Sequence, residues 1–327
     1  MRRLLPVLVC ILVLFNFIGC DAGDMESEND DISVNVVTTI YPLADIIGEL
    51  GGDKVKVSYL LPAGASPHTY EPTVEQARLV EEAHLFVHVG AGLDDWAVKL
   101  AEASGTDLVL IDLSKKVALI EPVDYHHLGD DEKHDHDESF HDCGHDDCDH
   151  DGCDHGPDDP HFWLDPIVVR DSICPAIHKQ LVTIAPENEE YFKKRFSQYQ
   201  QEITVLHEDI IEVTSSFSRN GFIAFHSAWQ YFGQRYNLVE VAVIANFPGQ
   251  EPSAGWVAEL VEIIEEENIG AIFAEPQFPT ALADRIAEES GSEVIVIDPL
   301  GGEGVPGRES YLDMMRFNLA SFKEAME

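Results

Sequence analysis

The longest regular pattern in the chain spans residues 186–217, PENEEYFKKRFSQYQQEITVLHEDIIEVTSSF. Its apolar residues recur at steps of four and three, which places them in one stripe along a helix. They are Phe192, Phe196, Tyr199, Ile203, Leu206, Ile210, Val213 and Phe217. At about 1.5 Å per residue the helix would be roughly 45 Å long, with Pro186 in its first turn. This length suits a stiff strut between two units, while a self-associating coiled coil and an ordinary core helix are the alternatives.

Short β-branched runs on both sides of this helix predict two sheets. The runs before it are residues 34–39, 55–61, 85–89 and 108–111. The runs after it are residues 222–225, 239–244, 271–274 and 294–297. Helical stretches separate the runs, as is typical of parallel strands joined by crossover helices. We therefore expect an α/β fold of two lobes, each a four-stranded, mostly parallel sheet flanked by helices, joined by one long rigid helix.

Composition and charge narrow the range of functions. The chain has 327 residues, of which 45% are hydrophobic and 25% charged, a mixture typical of a soluble globular protein. Lys and Arg number 20 against 61 Asp and Glu, which gives a net charge of −41. This charge repels phosphate backbones, so nucleic-acid binding is disfavoured, and it raises the local concentration of cations.

The first residues form a targeting segment. Arg2 and Arg3 precede residues 4–18, of which 13 of 15 are apolar, too few for the roughly 20 that cross a membrane. This pattern predicts a secretory signal, and the Gly19-Cys20 ending resembles a lipobox in which Cys20 is lipidated. The alternative is a plain signal peptide cut nearby. Either way we expect a protein that works outside the cytoplasmic membrane, and the lipobox predicts a lipid anchor on its outer face.

The expected organisation follows from these features. It comprises a signal peptide at 1–20, an acidic tether at 21–32, an N-terminal lobe at 33–185 that includes an acidic loop at 124–159, a linker helix at 186–218 and a C-terminal lobe at 219–327.

Four residues at the ends of predicted elements are candidate metal ligands: His68, His161, His226 and Asp298. Carboxyl ends of parallel strands line the ligand crevice of an α/β sheet, so the cleft between the lobes is where the four side chains could meet. Three imidazoles and one carboxylate make a closed tetrahedral set for Zn²⁺. Taken singly, each histidine has an ordinary packing or capping role as its alternative, and Asp298 could be a turn residue.

The acidic loop is the second candidate metal-binding feature. Residues 124–159 carry 15 acidic residues and a single Lys, and residues 126–155 hold eight of the 15 histidines. We expect the loop to be disordered without metal and to bind it as an auxiliary segment, while the alternative is a solvated acidic loop. Its candidate ligands are His134, His136, His141, Cys143, His145, Cys148, His150, Cys153 and His155.

Six segments in order resemble one family, the solute-binding lipoproteins of zinc and manganese ABC importers (cluster A-I metal-binding proteins). They are GASPHTYEP, DPHFWLDP, FHSAWQYFGQRY, EPSAGWVAEL, FAEPQF and VIDPLG, and the resemblance covers residues 33–327. It implies a fold of two α/β lobes joined by one long helix. It also implies that His68, His161, His226 and Asp298 are the ligands, and that the partners are an ABC permease and its ATPase. The protein is expected to be a monomer. The cysteines of the acidic loop depart from the family's usual histidines and acids.

The third ligand distinguishes the subfamilies of this family. A histidine at position 226 implies zinc as the transported ion rather than manganese, because imidazole suits Zn²⁺ and oxygen-rich sites suit Mn²⁺. Glu275 is expected behind the ligands or as an occasional extra ligand. Glu71 and Tyr70 are expected to orient His68 or to close the site, and Trp163 is expected to pack in the core.

Two other functions remain as alternatives at this stage. A secreted zinc hydrolase would need an open coordination position and a base such as Glu275, whereas the closed four-ligand set leaves no place for an activated water. The chain also lacks a His-Glu-x-x-His motif and a nucleophile elbow. An adhesin of the same fold is the other alternative. We expect a binding protein that is not an enzyme.

Overall fold

The computed structural model describes residues 34–105, 108–123, 158–245 and 252–327. The predicted signal peptide with Cys20, the tether and nearly all of the acidic loop with its nine candidate ligands lie outside the described residues. Within the described ranges, no helix combines the length and the apolarity that crossing a bilayer requires.

The first sheet is built from the runs that precede the long helix. In chain order the elements are β1 (Val34–Thr38), α1 (Tyr41–Gly51), β2 (Val55–Tyr59), α2 (Val74–Glu81), β3 (Leu85–His88), α3 (Asp95–Ala103) and β4 (Val109–Asp112). The strands are parallel in the order β2-β1-β3-β4.

The middle of the chain is helical. It comprises a 3₁₀ turn (Phe162–Leu164), α4 (Pro166–Val168), a π-helical turn (Val169–Ile173), α5 (Cys174–Ile184), a second 3₁₀ turn (Pro186–Asn188) and α6 (Glu189–Thr214). The 26 residues of α6 span roughly 39 Å at about 1.5 Å each. Helix α6 is thus shorter at both ends than the predicted helix at 186–217. Pro186 begins the 3₁₀ turn that precedes α6 and does not lie in the first turn of α6.

The second sheet repeats the plan of the first. Its elements are β5 (Gly221–Ala224), α7 (Gln230–Tyr236), β6 (Val239–Val243), α8 (Ala254–Glu266), β7 (Ala271–Ala274), α9 (Ala281–Ser290), β8 (Glu293–Val296) and α10 (Tyr311–Met326). The order β6-β5-β7-β8, again all parallel, matches the first sheet strand for strand. The predicted fold class of two four-stranded α/β halves is confirmed.

Helix α6 links the two halves through one continuous core. It packs against α1 and α5 on one side and against α7 and α10 on the other. The apolar stripe lies on this inner face: Phe192, Tyr199, Ile203, Leu206 and Ile210 are buried, and Phe196, Val213 and Phe217 are partly buried against them. The predicted long helix between the two halves is therefore confirmed, while its rigidity stays a prediction that its packing along its length supports.

Candidate metal centre

Three histidines from distant parts of the chain meet at one point. His68 lies on the loop between β2 and α2, His161 directly precedes the Phe162–Leu164 turn, and His226 follows β5. One ligand nitrogen of each lies within 4.8 Å of the other two. The Nε2 atoms of His68 and His161 are 3.3 Å apart. His68 is partly exposed, whereas His161 and His226 are buried.

This spacing is the one that a tetrahedral zinc ion imposes on its ligands. With Zn–N bonds of about 2.0–2.1 Å and tetrahedral angles, two ligand nitrogens lie about 3.3–3.4 Å apart. The observed distance of 3.3 Å between His68 and His161 falls in this range. Two ring nitrogens at this distance share either a proton or a cation, so the geometry suits a cation site.

Carboxylates behind two of the histidines fix which ring nitrogen faces inward. The Nδ1 of His161 is 2.8 Å from Asp159 Oδ1, and the Nδ1 of His226 is 2.8 Å from Glu275 Oε1. When these carboxylates are ionised they only accept, so each Nδ1 then carries the proton and each Nε2 offers its lone pair to a metal. Glu275 thus lies where an orienting residue is needed. Asp159 was missed by the sequence analysis, although it stands two residues before His161.

The same carboxylates shape the electrostatics of the cluster. Burial raises the pKa of Asp159 to about 7, against the opposing effects of the His161 backbone N–H and of His226. Burial by itself lowers the pKa of His226, but the neighbouring carboxylates of Glu275, Glu240 and Asp159 raise it overall. The site therefore holds protons more strongly than its histidines alone would, and a bound cation must displace them.

The loop that carries His68 is held by side chains of the first half. Trp96 Nε1–H donates to the carbonyl of Pro67 at 2.9 Å, and the Trp96 ring lies edge-on to Tyr70 with centroids 5.1 Å apart. The Tyr70 hydroxyl bonds to Gln76, whose side chain also bonds the backbone of Leu60 and of Thr73 at the start of α2. Tyr70 therefore braces the loop.

Glu71, the other residue expected to support His68, is exposed on the same loop.

Asp298 lies beside the cluster but outside the group of three. It follows β8, is buried, and does not share the 4.8 Å grouping of the histidines within the described residues. Its carboxylate accepts hydrogen bonds from Gln277 Nε2 and from Arg308 Nη1. Neither partner was identified from the sequence. The role of Asp298 as a fourth ligand stays a prediction.

A small cavity lies at the centre of the cluster. Its volume of about 10 Å³ has room for roughly one atom of the size of a water oxygen. Trp163 combines two roles here, because it is fully buried in the core and also forms part of the wall, with its Nε1–H donating to Pro299 at 2.8 Å. The cavity is lined by Ser66, Pro67, His68, His161, Trp163, His226, Glu275, Gln277, Phe278, Pro299 and Leu300.

The chain segments that flank residues 124–157 are joined next to the site. The Asp159 N–H donates to the carbonyl of Ile120 at 2.8 Å. The Tyr231 hydroxyl, from α7, accepts the Ile120 N–H and donates to the Asp159 carbonyl, both at 3.1 Å. The second half of the molecule therefore holds both flanks together, directly behind His161.

Two α/β halves of equal strand order, with a cluster of three histidines drawn from both, define a class of two-lobed α/β proteins with a candidate metal centre. The chain belongs to the ZnuA family, zinc-uptake complex component A, periplasmic, whose model matches residues 36–325. The family resemblance expected from the six sequence segments is thereby confirmed.

Similar proteins agree with this assignment. The zinc-binding lipoprotein AdcA of Streptococcus pneumoniae serotype 4 is 28% identical over 333 residues, which cover 100% of this chain and 62% of AdcA, so the chain spans less than two thirds of that relative. The high-affinity zinc uptake system protein ZnuA of Bacillus subtilis is 29% identical over 308 residues, covering 93% of this chain and 90% of ZnuA. A crystal structure of ZnuA superposes with a TM-score of 0.74 at 26% identity, covering 90% of this chain and 99% of that one.

Proposed function

We propose that this protein captures Zn²⁺ outside the cytoplasmic membrane and delivers it to an ABC permease and its ATPase. His68, His161 and His226 bind the ion, and Asp298 is the fourth ligand. The single observation that carries the proposal is the 3.3 Å separation of the His68 and His161 Nε2 atoms inside an ion-sized cavity. The names of the relatives, which are zinc-binding and zinc-uptake proteins, support the choice of ion.

Charge balance also favours a divalent ion. The three imidazoles are neutral when they bind metal, and the Asp298 carboxylate is paired with Arg308 at 2.8 Å. The carboxylates near the ligands, Asp159, Glu275 and Glu240, then contribute negative charge that a dication compensates. A buried site of this kind is stable only when its charges are compensated.

The cavity size argues for binding and against catalysis. A hydrolase needs room for a substrate and an open coordination position beside a base. Here the cavity of about 10 Å³ has room for a single ion and not for an organic substrate, and Oε1 of Glu275 is engaged by His226. We therefore propose a transport protein that is not an enzyme. We also propose that it acts as a monomer.

The location and the auxiliary segment complete the proposal. Cys20 is lipidated and anchors the protein to the outer face of the cytoplasmic membrane. The loop at 124–159 binds additional zinc through its histidines and cysteines, separately from the tight site in the cleft. The packed strut α6 keeps the halves nearly fixed, so release at the permease requires local movement of a ligand-bearing segment such as the His68 loop.

Equilibrium competition for zinc, with metal content by mass spectrometry, tests the site. We expect His161→Ala to abolish tight zinc binding and to leave the fold intact, whereas deletion of residues 126–155 lowers the number of bound ions and spares the tight site. His178→Gln is the matched control, because His178 stacks on Phe196 at 4.6 Å, on the α5–α6 interface. Loss of all tight binding after the loop deletion would contradict the proposal.

Growth on limiting zinc tests delivery. Cells that lack the protein should regain growth with the wild-type chain and not with His161→Ala, while excess zinc should restore both strains equally. Equal rescue by the two chains would argue for an adhesin that keeps its site for stability alone.

A further inference from the structure

Asp298 is surrounded by hydrogen-bond donors on both of its carboxylate oxygens. Oδ1 accepts the backbone N–H of Leu300 at 3.0 Å, the backbone N–H of Gly301 at 3.1 Å and Gln277 Nε2–H at 3.1 Å. Oδ2 accepts Arg308 Nη1–H at 2.8 Å. The side chain of Asp298 is 2% exposed, so water adds little to this set of partners.

The number of donors limits what Asp298 can give to a metal. A carboxylate oxygen has two lone-pair directions. With three donors Oδ1 has no direction to spare, whereas Oδ2 has one donor and keeps one direction. In this arrangement Asp298 can form one bond to a metal, through Oδ2. Binding through both oxygens would require breaking the backbone hydrogen bonds of the 298–301 turn.

Arg308 is held firmly in its place beside Asp298. Its guanidinium lies 4.6 Å from the centroid of the Phe317 ring, and its side chain is 17% exposed. Its carbonyl accepts the Gly302 N–H at 3.2 Å. Gly301 has φ +60°, and a Cβ there would lie 2.7 Å from the Arg308 carbonyl, so only glycine allows the turn that returns Arg308 to Asp298.

Arg308 also reduces the negative charge that the site offers. Its guanidinium compensates the Asp298 carboxylate at a place where solvent screening is weak. The donor set then consists of three neutral imidazoles and one carboxylate whose charge is already balanced. Zn²⁺ is well served by imidazole nitrogens and four ligands, whereas Mn²⁺ prefers several anionic oxygens in a six-coordinate shell.

We propose that Arg308 sets the metal preference of the site. The three donors on Oδ1 restrict the Asp298 carboxylate to a single bond through Oδ2. By pairing with Oδ2, Arg308 compensates the charge of that carboxylate, which suits four-coordinate zinc and disfavours manganese. The inference rests on the proposed function, since it requires Asp298 to be the fourth ligand. Arg308 acts through Asp298 and is a positioning residue.

Three variants of the full-length chain separate the charge of Arg308 from its packing. Arg308→Gln removes the charge and keeps a hydrogen-bond donor, whereas Arg308→Lys keeps the charge. Arg316→Gln is the matched control, because Arg316 lies on α10, is 47% exposed and pairs with Asp313 at 3.7 Å. The zinc and manganese dissociation constants of each are measured by competition with a chelating dye.

In Arg308→Gln we expect the ratio of the manganese to the zinc dissociation constant to fall at least tenfold, about 1.4 kcal/mol of lost discrimination. Arg308→Lys and Arg316→Gln should keep the wild-type ratio. The double variant Asp298→Asn, Arg308→Gln should have the same ratio of manganese to zinc dissociation constants as Asp298→Asn alone, because the two residues act as one unit.

Equal weakening of both metals in Arg308→Gln would overturn the inference and leave Arg308 a structural residue, and an unchanged ratio would overturn it as well. These results are distinguishable from failure of the proposed function. In that case the wild-type chain would bind no zinc tightly, or His161→Ala would bind it normally.

Discussion

The three histidines of the site are supported in two different ways. His161 and His226 are buried, and each has a carboxylate 2.8 Å behind its Nδ1. His68 is partly exposed on the loop between β2 and α2, which Trp96 and Gln76 attach to the first half. The comparison sets a prepared pair of ligands against a third ligand on a partly exposed loop, which we expect to be the movable support. The affinity for the ion should depend mainly on His161 and His226, and the rates of ion entry and release on the loop that carries His68.

Removing a ligand should give the largest effects and separate the two kinds of support. If roughly 12 kcal/mol of zinc binding is shared by four ligands, each contributes about 3 kcal/mol, or on the order of 100-fold in affinity. We expect both His226→Ala and His68→Ala to lose at least this much by zinc competition. His226→Ala should also lower the thermal stability of the metal-free protein, because it leaves Glu275 buried without its partner.

His68→Ala provides the contrast, since its metal-free melting temperature should match that of the wild-type protein. Equal melting temperatures for metal-free His226→Ala and His68→Ala would show that the carboxylate behind His226 does not contribute to the stability of the metal-free protein.

Weakening a carboxylate behind a ligand should give the next largest effect. Glu275→Gln keeps the size of the side chain but removes the charge that orients His226, so we expect a loss of about 10- to 100-fold in zinc affinity. Glu240→Gln is the control, because Glu240 is also buried in the second half but bonds Ser227 and the Trp229 backbone. A loss of similar size in both variants would show that general burial of charge matters, rather than contact with the ligand.

The carboxylate-backed ligands should give metal-free and zinc-loaded protein opposite responses to pH. The pKa of Asp159 is raised to about 7, and that of Asp45, a partly buried residue of α1 that accepts the Tyr311 N–H, to about 6, in both cases mainly by burial. At these two carboxyl groups the folded protein therefore binds more protons than the unfolded chain between about pH 4 and pH 7, so their contribution to stability falls as the pH rises through this window. The raised pKa of His226 acts in the same direction, since its stabilisation is lost as the pH passes that pKa.

Thermal melts at about pH 5.5 and about pH 8 check this expectation. The metal-free protein should melt roughly 4 °C or more lower at the higher pH, given about 1.4 kcal/mol per pKa unit. The added stability from zinc should instead grow with pH, because bound imidazoles must be neutral. Asp159→Asn should lose much of the pH dependence of the metal-free protein, and an unchanged dependence in that variant would exclude Asp159 as a main cause.

The loop that carries His68 should give the smallest effect. Trp96→Phe removes the hydrogen bond to Pro67, worth about 1 kcal/mol, so we expect zinc to dissociate about five times faster in stopped-flow measurements. Trp256→Phe is a matched control, because its indole also donates to a backbone carbonyl, that of Val243 at 3.1 Å, in the second half. Faster dissociation in Trp256→Phe as well would mean that the loop is not the movable support.

The fold followed closely from local patterns. All eight predicted strands occur with ends that differ by no more than two residues, because β-branched runs bounded by loops carry that information locally. Residues 161 and 226 were identified because each lies next to the end of an element, and residue 68 because it lies on the loop that follows β2. The residues that contact these side chains and Asp298 were not identified, namely Asp159, Gln277 and Arg308. Their contacts depend on how the turns and the two sheets are arranged in three dimensions. Arg308, for example, follows Asp298 by ten residues in the sequence and reaches it because the chain turns back at Gly301.

The closed junction between Ile120 and Asp159 has a consequence for how such a protein can diversify. A backbone hydrogen bond of 2.8 Å and the Tyr231 hydroxyl hold Ile120 and Asp159 together. Any segment inserted between these two residues therefore begins and ends at fixed positions. We therefore expect changes in the length or residue composition of the insert to leave the geometry of the histidine cluster unaltered. The inserted segment and the cluster can then change independently of each other within a single polypeptide.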